Sequence, residues 1–155
     1  MHVVSGIPKL PSIGLDPDEF KTKAKALLNG VTPKQIRHLL DLAGECTRAG
    51  HGAVVVVSSS ATEEAERLRH RSTLLRQPIR VREGMIATLT AIDGAVLMDL
   101  DARCYAIGAI LDGEAEDGQG NPSRGARYNA ALTYAKSKSC LVILVSQDGD
   151  VSILP

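Results

Sequence analysis

Arg124 and Arg127 stand three apart in RGARYNAALTYA, where a Gly/Asn/Pro-rich run gives way to helix formers. The macrodipole disfavours cations at a helix N-terminus, so two fixed positive charges there suggest a bound anion. Ser123 is an N-cap candidate, which would leave the N–H groups of Arg124, Gly125 and Ala126 pointing outward. Glycine lets an anion approach that backbone closely, and arginine suits bidentate phosphate contact. The alternative is two surface arginines near a helix start. The segment is neither a Walker A loop nor a dinucleotide fingerprint.

Two further groups could join this chemistry. Asp93-Gly94-Ala95 sets a carboxylate and two small residues between apolar runs. Such a group can hold a metal or ribose and let a ligand touch backbone, although Asp-Gly is also the commonest hairpin signal. Ser146-Gln147-Asp148-Gly149-Asp150 ends another apolar run. Composition favours a polar turn there; the functional alternative is a strand-end hydroxyl or carboxylate near a metal or phosphate. His51, between two glycines, reads as a loop histidine, and Cys104 as a core residue. With no histidine in the three groups, an imidazole general base is not expected among them.

The chain that must position these residues has 155 of them, the size of one domain. Lysine plus arginine (18) balances aspartate plus glutamate (18), so any anion site must be local and nothing in the net charge favours DNA. Three cysteines, widely spaced in apolar sequence, suit buried thiols in a reducing, cytoplasmic setting. No apolar run is long enough to span a membrane.

Residues 1–15, with Gly6, Pro8, Pro11 and Gly14, read as an irregular arm ahead of a domain over 16–155. Asp16-Pro17-Asp18-Glu19 and Thr32-Pro33-Lys34-Gln35 share one N-capping grammar and open two helices. The second carries an apolar stripe at Ile36, Leu39, Leu40 and Ala43 and stops at Gly50. GAVVVVSS predicts a central strand covered on both faces. Residues 62–70 read as a solvated polar helix, and residues 124–137 as a long helix. MIATLTA, GAVLMDL, CYAIGAIL, CLVILVS and VSILP are expected as strands, with tight turns at DLDAR and SQDGD. Tight turns require antiparallel neighbours and the long helix a crossover, so the fold class is α/β: a single domain with a mixed β-sheet flanked by helices.

Taken together, IDGAVLMDLDARCYAIGAIL, RGARYNAA and LVILVSQDGDVSIL resemble the diadenylate cyclase domain of the DNA-integrity-scanning cyclases. In that family an Asp-Gly-Ala motif is followed by a glycine-containing strand, a Gly-Thr-Arg-His-Arg motif opening a helix, and a strand ending in Ser-Glu-Glu. The three motifs agree in order over roughly residues 50 to 155. The resemblance implies binding of an adenine nucleotide or cyclic dinucleotide. Active members join two ATP into cyclic di-AMP with a divalent metal, Mg²⁺ or Mn²⁺, across a face-to-face pair of subunits, so a homo-oligomer is the expected assembly. It further implies Asp93 near the metal and the attacking 3′-hydroxyl, as the catalytic residue of an active enzyme; Asp148, one residue late, would replace the acid this chain lacks as a second metal carboxylate. Gly94 and Ala95 would line the nucleoside pocket, and Gly108 to Leu111 would border the base. Arg127 would hold phosphate, with Arg124, Gly125, Ala126 and Ser146 beside the nucleotide.

The departures bear on activity. Where the family has Arg-His-Arg this chain has Arg127-Tyr128-Asn129, and where it has Ser-Glu-Glu it has Ser146-Gln147-Asp148. Catalysis of phosphoryl transfer rests largely on charge stabilisation, so the expectation is a sensor with weak or no cyclase activity. An active diadenylate cyclase and a non-catalytic interaction module are the alternatives.

Overall fold

The computed structural model describes residues 2–4, 7–9, 14–112 and 125–155. Their elements run β1 (His2–Val4), β2 (Ile7–Lys9), α1 (Pro17–Leu27), α2 (Pro33–Arg48), β3 (Ala53–Val57), α3 (Ala61–Arg67), a 3-10 turn (Arg69–Arg71), β4 (Thr73–Arg80), α4 (Met85–Thr90), β5 (Ala95–Met98), β6 (Arg103–Ala109), α5 (Gly125–Ser137), β7 (Leu141–Val145) and β8 (Val151–Leu154). Six strands form one sheet in the order β4-β6-β5-β3-β7-β8. β3 and β5 are parallel, and every other pairing in that sheet is antiparallel.

The unbroken Val54–Val57 run is central because both faces of β3 are covered. Val55 and Val57 pack with Phe20, Ile36, Leu39 and Ile86 of α1, α2 and α4. Val54 and Val56 pack with Ala61, Ala65, Ala131 and Tyr134 of α3 and α5. Alternate side chains of one strand thus serve two cores, making a three-layer α/β/α domain.

Both predicted N-caps form. The Asp16 carboxylate accepts from Asp18 N at 2.9 Å, and Thr32 and Gln35 make a reciprocal capping box. Gly50 adopts φ 78° just beyond α2, as a helix stop requires. Among the described residues, no helix is long and apolar enough to cross a membrane.

Two expectations change, and one strand appears where none was expected. Residues 1–15 are not wholly irregular: β1 and β2 pair antiparallel, His2 with Lys9 through Val4 with Ile7, as a small separate sheet. MIATLTA is helix α4, not a strand. Its six residues are too few for periodicity to decide; packing decides instead, burying Ile86 and Thr90, four apart, on one side. Thr90 Oγ1 donates to Ile86 O at 2.8 Å, which accommodates a β-branched residue at the helix end. Finally, TLLRQPIR, to which the pattern assigned no element, forms edge strand β4.

Candidate functional site

Parallel pairing of β3 with β5 sets Val54 opposite Ala95, so the residues entering the two strands, Gly52 and Asp93-Gly94, meet at one end of the sheet. Antiparallel pairing of β3 with β7 sets Ala53 opposite Val145 and brings the turn after β7 to the same end. β6 runs back beside β5 and delivers Gly108 through Leu111 there, and α5 closes the remaining side.

The backbone at this end depends on two glycines. Gly94 has φ +104°, and a Cβ on it would lie 2.8 Å from Gly108 O and 2.9 Å from Gly108 Cα. Gly108, at φ +62°, sits where the β5–β6 register shifts between the Ala95–Ala109 and Leu97–Ala106 pairs. Gly94 is therefore small because another strand's backbone crosses it, a cause distinct from contact with a ligand.

Two joined cavities open here. One, of about 420 Å³, is mostly apolar and lies between the end of β6 and α5, with Gly94, Ala95, Gly108, Leu111, Ala126 and Ala130 in its walls. The alanines on that face of α5 keep the space open. The other, of about 300 Å³, is more polar and is lined by His51, Gly52, Thr90, Ala91 and Gln147, among others. Val54, Asp93, Gly94 and Arg127 belong to both. An apolar slot continuous with a polar compartment is a shape that takes a flat ring at one end and charged groups at the other.

Arg127 projects from the first turn of α5 over the boundary. Its Nη2 lies 3.2 Å from Asp93 Oδ1, and Asp93 Oδ1 also accepts from Gly94 N at 3.1 Å. Asp93 is 94% exposed and Arg127 47%, so the pair is solvent-screened and weak enough for a ligand anion to take the guanidinium over. A Cβ on Gly52 would collide with Arg127 Nη1, so the glycine makes room for the cation.

Of the residues singled out from the pattern, Asp93, Gly94, Ala95, Gly108, Leu111, Ala126 and Arg127 converge on one cavity. Gly125 opens α5 at φ +82° without lining it. Ser123 and Arg124 lie outside the described residues. Ser146 organises its own turn: its Oγ accepts from Asp150 N at 3.1 Å, and its N donates to Asp150 O at 2.9 Å. From that turn Gln147 lines the polar compartment, while Ser146 and Asp148 line neither cavity.

His51, read from the pattern as a loop histidine, does lie in the loop before β3, and the pattern gave it no place in the site. Its Nδ1 and Nε2 each lie 3.1 Å from a carbonyl, of Gly52 and Ala87 respectively, so it braces the entry to β3 against α4 in the wall of the polar compartment. The available signal was its place just ahead of the strand that pairs with the one after Asp93.

Among the described residues, no group of three or more His, Cys, Asp or Glu is arranged to hold a metal. The exposed Asp93 carboxylate still fits Mg²⁺ or Mn²⁺ of the kind that takes one protein carboxylate and completes its shell with phosphate oxygens and water.

The comparisons with known proteins agree with this fold. The family described as DAC, DisA bacterial checkpoint controller nucleotide-binding, matches residues 43–155. A double cysteine mutant of DacA from Staphylococcus aureus shares the fold at 16% identity and a TM-score of 0.61, over 78% of this chain and 81% of that one. A hypothetical membrane spanning protein from Bacillus cereus does so at 20% identity and a TM-score of 0.61, over 88% of this chain and 66% of that one. No curated protein matches the chain.

Proposed function

Because the chain belongs to the family of DisA-type diadenylate-cyclase nucleotide-binding domains, we propose that it binds an adenine nucleotide or a cyclic dinucleotide and works as a sensor with weak or no cyclase activity. The observation that carries this reading is the pair of joined cavities sharing Asp93, Gly94 and Arg127. The base and ribose would occupy the apolar slot between the end of β6 and α5. The phosphates would point to the polar compartment, where Arg127 would exchange Asp93 for a phosphate oxygen. Asp93 would hold a divalent cation together with those phosphates; when bound, the cation neutralises phosphate charge.

Loss of turnover follows from charge. Bringing two triphosphates together needs several cations to offset their repulsion and the charge of the transition state. Arg127 is the one Lys or Arg in the walls of either cavity among the described residues, and Asp93 partly offsets it. Tyr128, Asn129 and Gln147 replace the imidazole, guanidinium and carboxylate of the active family members. Binding depends on the apolar walls and one cation, so it survives where transition-state stabilisation does not.

Purified protein incubated with ATP and Mn²⁺, followed by mass analysis of bound and free nucleotide, tests the proposal. Retained nucleotide with little or no cyclic di-AMP is the expected result. Conversion of ATP to cyclic di-AMP at about 1 s⁻¹ or faster would make the protein an ordinary enzyme of its family. Absence of any bound nucleotide, cyclic di-AMP included, would leave an interaction module.

A further inference from the structure

Residues 67–82 hold six arginines, Arg67, Arg69, Arg71, Arg76, Arg80 and Arg82, with His70 and no acid, in a chain whose formal net charge is zero. The segment comprises the end of α3, the 3-10 turn, β4 and the two residues after it. β4 lies at the outer edge of the sheet and pairs on one side only, with β6, at Thr73 and Leu74 and at Ile79 and Arg80, with an irregular stretch between them that holds Arg76 and Pro78. Arg67, Arg69 and Arg71 are paired with Glu64, Glu66 and Asp112. Arg76, Arg80 and Arg82 are exposed and make no ion pair among the described residues. Leu74 and Ile79 of the same strand are exposed. So is Ile110, 63% exposed, whose N donates to Arg71 O at 2.8 Å beside this edge.

A proline and a charge suffice to blunt an edge strand against aggregation, and Pro78 with one arginine would do that. Three unpaired arginines among exposed leucine and isoleucine go further, toward the mixture of arginine and apolar residues typical of interfaces. A second copy meeting this edge symmetrically would bring arginine to arginine, so the patch does not complement itself. A lipid surface or a nucleic acid would answer the charges but offer no strand to the free backbone groups of β4. An extended acidic peptide answers both.

We infer that the β4 edge docks an extended, acidic segment of a partner protein, which adds as a strand to β4 and sets its carboxylates against Arg76, Arg80 and Arg82. Leu74, Arg76, Ile79, Arg80 and Arg82 lie outside both cavities, whereas Ile110 also belongs to the wall of the apolar one.

The test titrates the whole chain by fluorescence anisotropy against three probes: a labelled peptide of alternating glutamate and valine, the same peptide with lysine for glutamate, and a single-stranded DNA oligonucleotide. The acidic peptide should bind in a salt-sensitive manner and the lysine peptide should not. Combining Arg76→Glu, Arg80→Glu and Arg82→Glu should weaken binding by about tenfold or more with an unchanged melting curve. The three Arg→Gln changes serve if the reversal disturbs folding. Methylating the backbone nitrogens of the peptide should weaken binding as well. Equal affinity in the folded variant, equal affinity of the methylated peptide, tighter binding of DNA, or no binding of the acidic peptide would each overturn the inference.

Discussion

Arg127 at rest is held by a carboxylate that solvent almost fully surrounds, which leaves its guanidinium available to a better anion. Arg127→Ala should therefore weaken nucleotide affinity by about 1.5 kcal/mol, roughly tenfold, while the melting temperature stays put, because the side chain carries little packing. Calorimetric titration beside a thermal melt separates the two effects, and unchanged affinity in the folded variant would remove the phosphate role. Gly52→Ala should act in the same direction, less strongly. Its new Cβ would collide with the far end of a flexible side chain and lie at ordinary contact, 3.4 Å, from the Val145 carbonyl oxygen, so the arginine shifts and the fold survives. A Gly52→Ala protein with wild-type affinity would show that the position of the guanidinium is not critical. Asp93→Asn keeps size but loses the charge a hard cation needs. Titration with and without Mg²⁺ should show the metal-free affinity retained and its enhancement by metal gone; an identical response to metal would reduce Asp93 to a turn residue.

Between the elements, α3 brackets the cavity from outside. Tyr134, buried in α5, donates its hydroxyl to Glu64 Oε2 at 2.6 Å. Arg67 bonds Glu64 at 2.9 and 3.0 Å and Asp112 at 2.7 and 2.8 Å, and Asp112 follows directly on Leu111 of the cavity wall. One helix thus ties α5 to the end of β6, the two walls between which the apolar slot lies. Burial pushes the Glu64 carboxyl up, but hydrogen bonds from Arg67 and Tyr134, with the nearby charges of Arg67 and Lys138, outweigh it and hold it below its usual value. The Arg67 hydrogen bonds hold Asp112 low in the same way, against a smaller effect of burial. A carboxyl whose folded pKa is depressed adds stability above its unfolded pKa and loses it as pH falls through the folded value. Stability should accordingly be level from neutral pH down to the ordinary carboxylate range and fall below it. Arg67→Ala should cost about 2 kcal/mol at pH 7 and flatten that acid limb. Urea melts at pH 7 and pH 3 check both, and a limb unchanged in the variant would place its origin elsewhere.

Over the whole molecule, two cores share one sheet, and the three thiols sample both. Cys46 and Cys104 belong to the layer of α1, α2 and α4, and Cys140 to the layer of α3 and α5. Burial pushes Cys46 and Cys140 up to about 12 and Cys104 up to about 11. None should react with iodoacetamide in the folded state, since the thiolate is the nucleophile. Because β3 contributes alternate side chains to both cores, loss of either layer would leave one face of the shared sheet unpacked. All three cysteines should therefore label together across a denaturant series, as mass spectrometry of the peptides would show. Earlier labelling of Cys140 would mean that the α3/α5 layer opens by itself.

What the sequence by itself determined was local. Asp16 and Thr32 announced their helices because a cap is a contact between residues two or three apart. The valine run announced a central strand because burial on both faces removes alternation. The Asp-Gly-Ala and Arg127 motifs named the cavity because they lie within short segments. Met85–Thr90 was illegible, since six apolar and β-branched residues suit either period until Ile86 meets the core. Only strand pairing decided that Gly52 and His51 stand beside Asp93, and that Gln147, rather than Ser146 or Asp148, reaches the polar compartment. Those contacts join positions about forty to ninety residues apart in the chain, where no local spacing rule applies. They are set by which strands lie side by side and in which direction they run.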